Sequence, residues 1–149
     1  MSNLFRAAVL PLILTAAAWP QELADKKPAA PVDPCPASAT QTERTQCWDQ
    51  LAAKAQADLT VLYRKIQGLL RARVAKEDGP LKSHQEAALE KLKVAQLAWS
   101  HYRDAQCAAG EQQFEGGTIA PSVRSGCVKE LSERRVEELQ KTYAIYLRE

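Results

Sequence analysis

Apolar residues recur every three or four positions along the first long segment of the chain, which begins at Thr40. This spacing places them on one stripe of a helix. Thr40 and Glu43 match a capping box, in which a hydroxyl and a carboxylate bind free amides at a helix start, and Gly79-Pro80 ends the segment. The predicted stripe consists of Cys47, Leu51, Ala55, Leu59, Leu62, Ile66 and Leu69.

A second helical segment begins near Pro80 or Ser83, where Ser83 and Glu86 offer another capping box. Its stripe is apolar at the start and polar further along. Gly110 and then Gly116-Gly117 are predicted to end it. The stripe consists of Leu89, Leu92, Gln96, Trp99 and Arg103.

A third helix is predicted from Pro121-Ser122 almost to Glu149. The chain has no run of alternating β-branched residues, so strands are not expected. The fold class predicted is therefore all-α, as an antiparallel three-helix bundle. The third stripe consists of Val123, Cys127, Leu131, Arg135, Leu139, Thr142 and Tyr146.

The N-terminus is typical of an export signal. One arginine precedes an apolar run over residues 7–18, and small residues end at Ala18, after which we expect cleavage. A membrane anchor is the alternative, but the run is shorter than the roughly 20 residues that cross a bilayer. Proline-rich residues 19–39 are predicted to form an extended tether, and residues 40–149 one helical domain.

Charge narrows the range of partners. The formal net charge is +2, and removal of residues 1–18 takes away Arg6 and no acid, which lowers it by one. A nearly neutral domain without a basic stripe is not expected to bind nucleic acid. After signal cleavage no membrane span is expected.

An exported chain folds where thiols oxidise, so four cysteines favour two disulfides. Four cysteines allow three connectivities, and spacing alone does not choose among them. We predict the local pairing, Cys35–Cys47 and Cys107–Cys127. A zinc site is disfavoured because no Cys-x-x-Cys pair is present and both histidines stand alone, so no metal or cofactor is expected.

The order of motifs resembles the LprI-like lysozyme-inhibitor family. Two cysteine pairs flank the motif Gln-x-x-Trp-x-x-Tyr-Arg-Asp and a Gly-Gly loop, and the resemblance covers residues 35–139, nearly the whole chain after the signal. The residues that carry it, apart from the cysteines, are Asp58, Tyr63, Gln96, Trp99, Tyr102, Arg103, Asp104, Gly116, Gly117, Thr118 and Arg135.

The resemblance implies a small, secreted or periplasmic helical protein whose partner is lysozyme, the muramidase that cleaves peptidoglycan. Some members are lipoproteins. This chain lacks a lipidation cysteine, so it is expected to be free in the periplasm.

The signature residues have a structural interpretation. Gln96, Trp99 and Arg103 share one helical face at spacings of three and four. Trp99 would fill the bundle, while hydrogen bonds of Gln96, Arg103 and Arg135 would fix the register of the helices.

A half-buried arginine needs an acid. Asp104 or Asp58 is the expected partner of Arg103. The alternative interpretation makes Arg103 and Tyr102 surface contacts for a partner.

The segment between Cys107 and Cys127 is the predicted contact loop, because a disulfide would preorganise it. On this hypothesis the glutamates face the cationic rim of the lysozyme cleft and the Gly116–Thr118 segment enters the cleft. Alternatively, the glycines supply only positive φ in a turn. The predicted partner-binding residues are Glu111, Glu115, Gly116, Gly117 and Thr118.

The same residues bear on three other function classes, namely an enzyme, an adaptor and a peptidoglycan-binding protein. An enzyme is not expected, because no catalytic triad, phosphate loop or metal quartet has the required spacing. A periplasmic envelope-stress or adaptor protein is the main alternative. Direct binding of peptidoglycan is a third.

Overall fold

The structure, a computed structural model, describes residues 33–36 and 39–148 of the 149-residue chain. Three long helices form an antiparallel bundle, with one short helix after them. The predicted all-α three-helix bundle is confirmed. The helices are α1 at Gln41–Lys76, α2 at Gly79–Gln112, α3 at Ala120–Thr142 and α4 at Ala144–Leu147.

The capping box at the start of α1 is confirmed. The Glu43 amide donates to the Thr40 hydroxyl oxygen at 3.3 Å, and the Glu43 carboxylate accepts from the Thr40 amide at 2.7 Å. At the other end, extended backbone at Glu77 and Asp78 stops the helix. Gly79 then turns the chain with φ +59°, a conformation that glycine adopts cheaply.

Of the two starts predicted for α2, the one near Pro80 is confirmed and the one at Ser83 is wrong. The helix begins at Gly79, with proline in its first turn, so Ser83 lies inside it and does not cap it. Proline suits this position because the first helical amides have no intrahelical acceptor. The helix also continues through Gly110 to Gln112, since one glycine costs only about 1 kcal/mol in a helix interior.

The third helix does not run almost to Glu149 as predicted. It ends at Thr142, and the chain bends at Tyr143 before α4. The bend turns Tyr143, Tyr146 and Leu147 onto the core, where burial raises the pKa of the Tyr143 phenol. The Arg73 guanidinium lies 4.4 Å from the centre of the Tyr146 ring.

Large apolar side chains are concentrated in one part of the bundle. Leu59, Ile66 and Leu70 of α1 meet Leu92 of α2 and Leu139 of α3, and all five are almost fully buried. Half-buried Leu62, Leu89 and Val136 surround them. This cluster lies beside the bend that joins α3 to α4.

Small residues and cross-links hold the opposite end. Both predicted disulfides are present, with Cα–Cα distances of 5.9 Å for Cys35–Cys47 and 5.5 Å for Cys107–Cys127. The ring of Trp48 packs against Gly126, close enough that a β-carbon there would lie 3.6 Å from it. That distance is an ordinary van der Waals contact, so Trp48 packs directly on α3, and small residues fill the rest of this end. The buried ones are Ala52, Ala55, Ala120, Ser122 and Ser132.

A short N-terminal hook, residues 33–36, is fixed to the start of α1. Beyond the disulfide, the Arg44 guanidinium donates to the Pro36 carbonyl at 3.0 Å and pairs with the Asp33 carboxylate. A hydrogen bond from the Cys35 amide, together with Arg44, lowers the pKa of Asp33. The last part of the proline-rich segment is thus tied to the bundle.

Residues 1–18, where the signal is predicted, lie outside the described residues, as does most of the tether at 19–39. Within 33–36 and 39–148, no helix combines the length and apolar character needed to span a bilayer.

We expect replacement of both Cys107 and Cys127 by serine to lower the free energy of unfolding by about 3 kcal/mol, because the bond closes a loop in the unfolded chain. Cys107 and Cys127 are 20 residues apart, whereas Cys35 and Cys47 are 12 apart. The Cys35–Cys47 bond closes the shorter loop, so its removal should lower the free energy of unfolding slightly less. Urea unfolding followed by circular dichroism measures both. A double-serine variant as stable as the parent would contradict the prediction.

Glu43 makes stability depend on pH. The hydrogen bonds from Thr40 lower its pKa from 4.5, so the ionised form stabilises the fold above that pH, and this contribution is lost as the pH falls through the lowered value. We expect Glu43→Gln to unfold at lower urea than the parent at about pH 7, with the difference gone at about pH 2. Glu137→Gln, at an exposed site, is the control. An equal loss at both pH values would refute the prediction.

Candidate functional site

The loop between α2 and α3 is closed at its base by two bonds. The first is the Cys107–Cys127 disulfide, whose Cys107 is fully buried. The second is an ion pair, in which Arg124 of α3 donates to the Glu111 carboxylate of α2 at 2.8 Å. Each bond joins α2 to α3, so the two ends of the loop are held together both covalently and by charge.

The loop follows a series of tight turns. The Phe114 amide donates to the Glu111 carbonyl at 2.9 Å, and the Gly117 amide to the Phe114 carbonyl at 2.9 Å. Gly116 has φ +78°, which favours glycine. At Gly117 a β-carbon would lie 3.1 Å from the Phe114 carbonyl oxygen, a tight contact that a small shift of this backbone would have to relieve. The positive-φ interpretation therefore holds for Gly116 and not for Gly117.

Apolar and polar groups face solvent on this loop. Phe114 is 44% exposed and Ile119 47%. The Glu115 carboxylate accepts a hydrogen bond from the Gln112 amide group. Among the described residues, the backbone amides of Gly116 and Thr118 donate to no protein acceptor. The loop thus combines an aromatic ring, a carboxylate and free amide donors.

Acidic residues are concentrated at the loop end of the bundle. The start of α1, the end of α2 and the start of α3 meet there, as the contacts between Gln41 and Ser122 and between Asp49 and Ser125 show. Residues 33–50 and 103–125 contain six acids and three arginines, whereas 51–102 and 126–149 contain ten acids and fourteen lysines and arginines. The near-neutral total conceals an acidic loop end and a basic remainder.

Each arginine of the loop end is paired with an acid. Arg44 pairs with Asp33, Arg103 with Asp104, and Arg124 with Glu111. The acids not neutralised by a cation of this end are Glu43, Asp49 and Glu115, of which Glu43 also caps α1.

The signature residues on α2 and α3 form a stacked cluster. The Arg103 and Arg135 guanidinium carbons lie 5.3 and 5.8 Å from the centre of the Trp99 ring, within cation–π range. Arg135 also donates to the Gln96 side-chain oxygen at 3.2 Å and to Glu138 at 2.9 Å. Both arginine side chains are about 15% exposed. Arg135 joins α3 to α2, as the structural interpretation expects. The contacts of Arg103 with Trp99 and Asp104 lie within α2, so they do not link the helices as that interpretation expected.

Asp104, and not Asp58, is the partner of Arg103, at 2.7 Å. Asp58 pairs instead with Lys54 one turn away on α1.

The two tyrosines of the signature lie in different environments, since Tyr63 packs on the hydrophobic core and Tyr102 is exposed. Tyr63 accepts a hydrogen bond from Gln67 within α1. Tyr102 is 54% exposed on the outer side of α2. The structure therefore separates the predicted surface pair, since Tyr102 faces solvent while Arg103 faces the bundle.

The loop surface exposes polar and apolar groups to solvent. Within the part of the chain that the structure describes, no three His, Cys, Asp or Glu side chains come together as metal ligands would. A rigid loop with an exposed aromatic ring, free amides and unneutralised carboxylates is suited to contact another macromolecule.

Sequence comparison agrees with this geometry. A sequence profile of the family described as "Lysozyme inhibitor LprI" matches residues 34–139. The chain belongs to the LprI lysozyme inhibitor family. The match begins one residue before the first cysteine and ends at Leu139, so it includes both disulfides, the loop and the stacked cluster. The LprI family is not a catalytic family.

A relative within the curated proteins supports the same extent. An uncharacterized protein of Rhizobium meliloti (strain 1021) is 36% identical over 110 residues, which cover 74% of this chain and 78% of the relative. No solved structure matches the chain.

Two features of the loop end were not apparent from the sequence. Arg124 was not singled out, although it clamps Glu111 across the loop. The acidic excess was also missed, because net charge averages over the chain. The available signal was topology: in an antiparallel bundle, acids early in the first helix lie beside acids late in the second.

The stacked cluster generates a stability prediction. We expect Arg103→Ala and Arg135→Ala each to lower the free energy of unfolding by about 1–2 kcal/mol, through loss of cation–π contact and hydrogen bonds. Arg134→Ala is the matched control, because that side chain is 65% exposed and makes only a surface pair with Glu130. Urea denaturation measures all three. A control as destabilised as Arg135→Ala would contradict the structural role.

Proposed function

We propose that this chain is an exported inhibitor of lysozyme and that the loop between Cys107 and Cys127 is its contact surface. Membership of the LprI family supports the partner class. The single observation that carries the choice of surface is the acidic excess at the loop end, where six acids meet three arginines.

Charge placement favours encounter with a cationic lysozyme. Carboxylates grouped at one end create a local negative potential, which steers a positively charged protein toward that end. The excess of lysine and arginine elsewhere in the domain disfavours contact through the rest of the surface. Steering thus selects the loop end for first contact even though the whole chain is almost neutral.

Loop chemistry suits a glycosidase cleft. Such a cleft contains two carboxyl groups on either side of the scissile bond. The free amides of Gly116 and Thr118 are donors that those carboxyl oxygens could accept, and Phe114 offers apolar area for the sugar-binding walls. Glu115 would remain on the cationic rim. Substrate is then excluded by occupation of the cleft.

Preorganisation lowers the cost of binding. Ordering a free loop costs about 0.5–1.5 kcal/mol for each immobilised side chain. Here the disulfide, the Glu111–Arg124 pair and the turn bonds already hold the loop in one conformation. More of the contact energy therefore appears as affinity.

Export to the periplasm is part of this proposal. The two disulfides fit an oxidising compartment. The predicted signal over residues 1–18 supplies the route.

The decisive measurement is a lysozyme lysis assay with the purified oxidised chain. We expect inhibition by the parent, and Glu115→Lys should raise the inhibition constant about tenfold at low ionic strength, with the difference narrowing as salt is added. Glu137→Lys makes the same charge change at an exposed site outside the loop end and should stay within about twofold of the parent.

Two results would count against the proposal. Absence of inhibition at large molar excess would remove lysozyme as the partner. Equal loss in Glu115→Lys and Glu137→Lys would show that net charge matters and the location of charge does not.

A further inference from the structure

The outer face of α2 carries a solvent-exposed strip without Asp, Glu, Lys or Arg side chains. Three of the eight large hydrophobic side chains exposed in the described residues lie on it, with Val94 and Leu97 each 60% exposed and Tyr102 54% exposed. Helical spacing places these residues on one face, opposite the buried Leu92 and Cys107. The strip consists of Val94, Leu97, Ala98, His101, Tyr102 and Ala105.

This strip differs from ordinary scattered exposure. Single exposed apolar residues need no explanation, but contiguous ones mark interaction surfaces. The strip extends about 16 Å along α2 and includes no Asp, Glu, Lys or Arg. Alanines 98 and 105 would let a second helix approach closely. The surface is therefore suited to helix-on-helix packing.

We propose that the strip pairs with the same strip of a second copy of this chain, in an antiparallel homodimer. A twofold interface is self-complementary, since each copy presents the same patch. The uncharged strip meets that condition without burying a like charge. Charged residues on its flank then decide the direction of pairing.

Lys93 and Asp104 flank the strip on the same side. They are eleven residues apart, which is three helical turns, and they lie at opposite ends of the strip. When the twofold axis passes near Ala98, Lys93 of each copy faces Asp104 of the other. Parallel pairing would instead place the two copies of Lys93 on opposite flanks of the interface, where neither meets an acid of the partner. Lys93 and Asp104 are both exposed. Within one copy Lys93 pairs with Glu90 and Asp104 with Arg103, and these pairs can persist in the dimer.

The charge distribution of the whole domain favours the same direction. Antiparallel pairing sets the acidic loop end of one copy at the same end of the dimer as the second half of the other copy's α1, which carries Arg64, Lys65, Arg71, Arg73 and Lys76 and no acid. Opposite potentials attract in this arrangement and repel in the parallel one.

The strip lies on α2 and leaves the loop outside the interface. An antiparallel pair carries its two loops at opposite ends, so each copy could occupy one lysozyme cleft. The dimer therefore does not depend on the proposed inhibition. The strip is about 16 Å long and one helix wide, so its area is smaller than the roughly 800 Å² per partner of a standard interface. We therefore expect a dimer dissociation constant in the micromolar range rather than a permanent dimer.

Sedimentation velocity of the oxidised chain over about 1–500 µM tests the pairing. We expect a concentration-dependent monomer–dimer equilibrium. Leu97→Glu should raise the dimer dissociation constant at least tenfold. Val61→Glu is the matched control, because Val61 is 67% exposed on α1 outside the strip, and it should leave the constant within about twofold.

Charge reversal tests the direction. Lys93→Glu and Asp104→Lys should each weaken the dimer several-fold, while the two together should restore it, because each copy then supplies the reversed pair. Circular dichroism melting confirms that every variant is folded. Lysozyme inhibition per chain should be unchanged in Leu97→Glu, so a failure of dimerisation and a failure of inhibition are distinguishable.

Three outcomes would overturn the proposal. The first is a monomer at every concentration, which would leave the strip to a different protein. The second is a dimer insensitive to Leu97→Glu, which would place the interface elsewhere. The third is failure of the double charge reversal to restore pairing, which would exclude the antiparallel arrangement.

Discussion

The cross-link between Cys107 and Cys127 is the constraint on which the candidate site depends. It joins the last turns of α2 to the first turns of α3, so the intervening segment begins and ends at fixed points. The Glu111–Arg124 pair adds a second closure. With both ends fixed, short turns and two glycines define the loop, and its aromatic ring, carboxylate and free amides are presented without further ordering cost.

The two ends of the bundle are stabilised in different ways. Beside α4, large side chains such as Ile66, Leu70 and Leu139 are buried, and burial of each supplies about 1.5–3 kcal/mol. At the loop end the buried residues are mostly alanine and serine, which remove little apolar area from water. Both disulfides lie at this end and contribute stability that a small core does not supply. The end that carries the contact loop is therefore the covalently cross-linked end.

Charge separation reconciles a near-neutral chain with recognition of a charged partner. Net charge describes solubility and long-range attraction of the whole molecule, whereas steering depends on where the charges lie. Here helix order brings Glu43, Asp49 and Glu115 to one end. The same separation makes the two ends of the domain differ in charge, and this difference would favour antiparallel pairing of the α2 strips.

The sequence by itself determined the helical class, the capping box at Thr40, the glycine–proline break and the residues of the signature motif, because these depend on local periodicity and on side-chain-to-backbone bonds. The local disulfide pairing was one of three that the sequence allowed, and the folded chain selected it by bringing those Cα atoms within 6 Å. Only the tertiary structure decided that α3 breaks at Tyr143, that Arg103 pairs with Asp104 while stacking on Trp99, and that Arg124 closes the loop. The bend at Tyr143 and the Glu111–Arg124 pair depend on which side chains from different helices meet, and no local pattern encodes that. The choice of Asp104 rather than Asp58 for Arg103 depends on where α1 packs against α2.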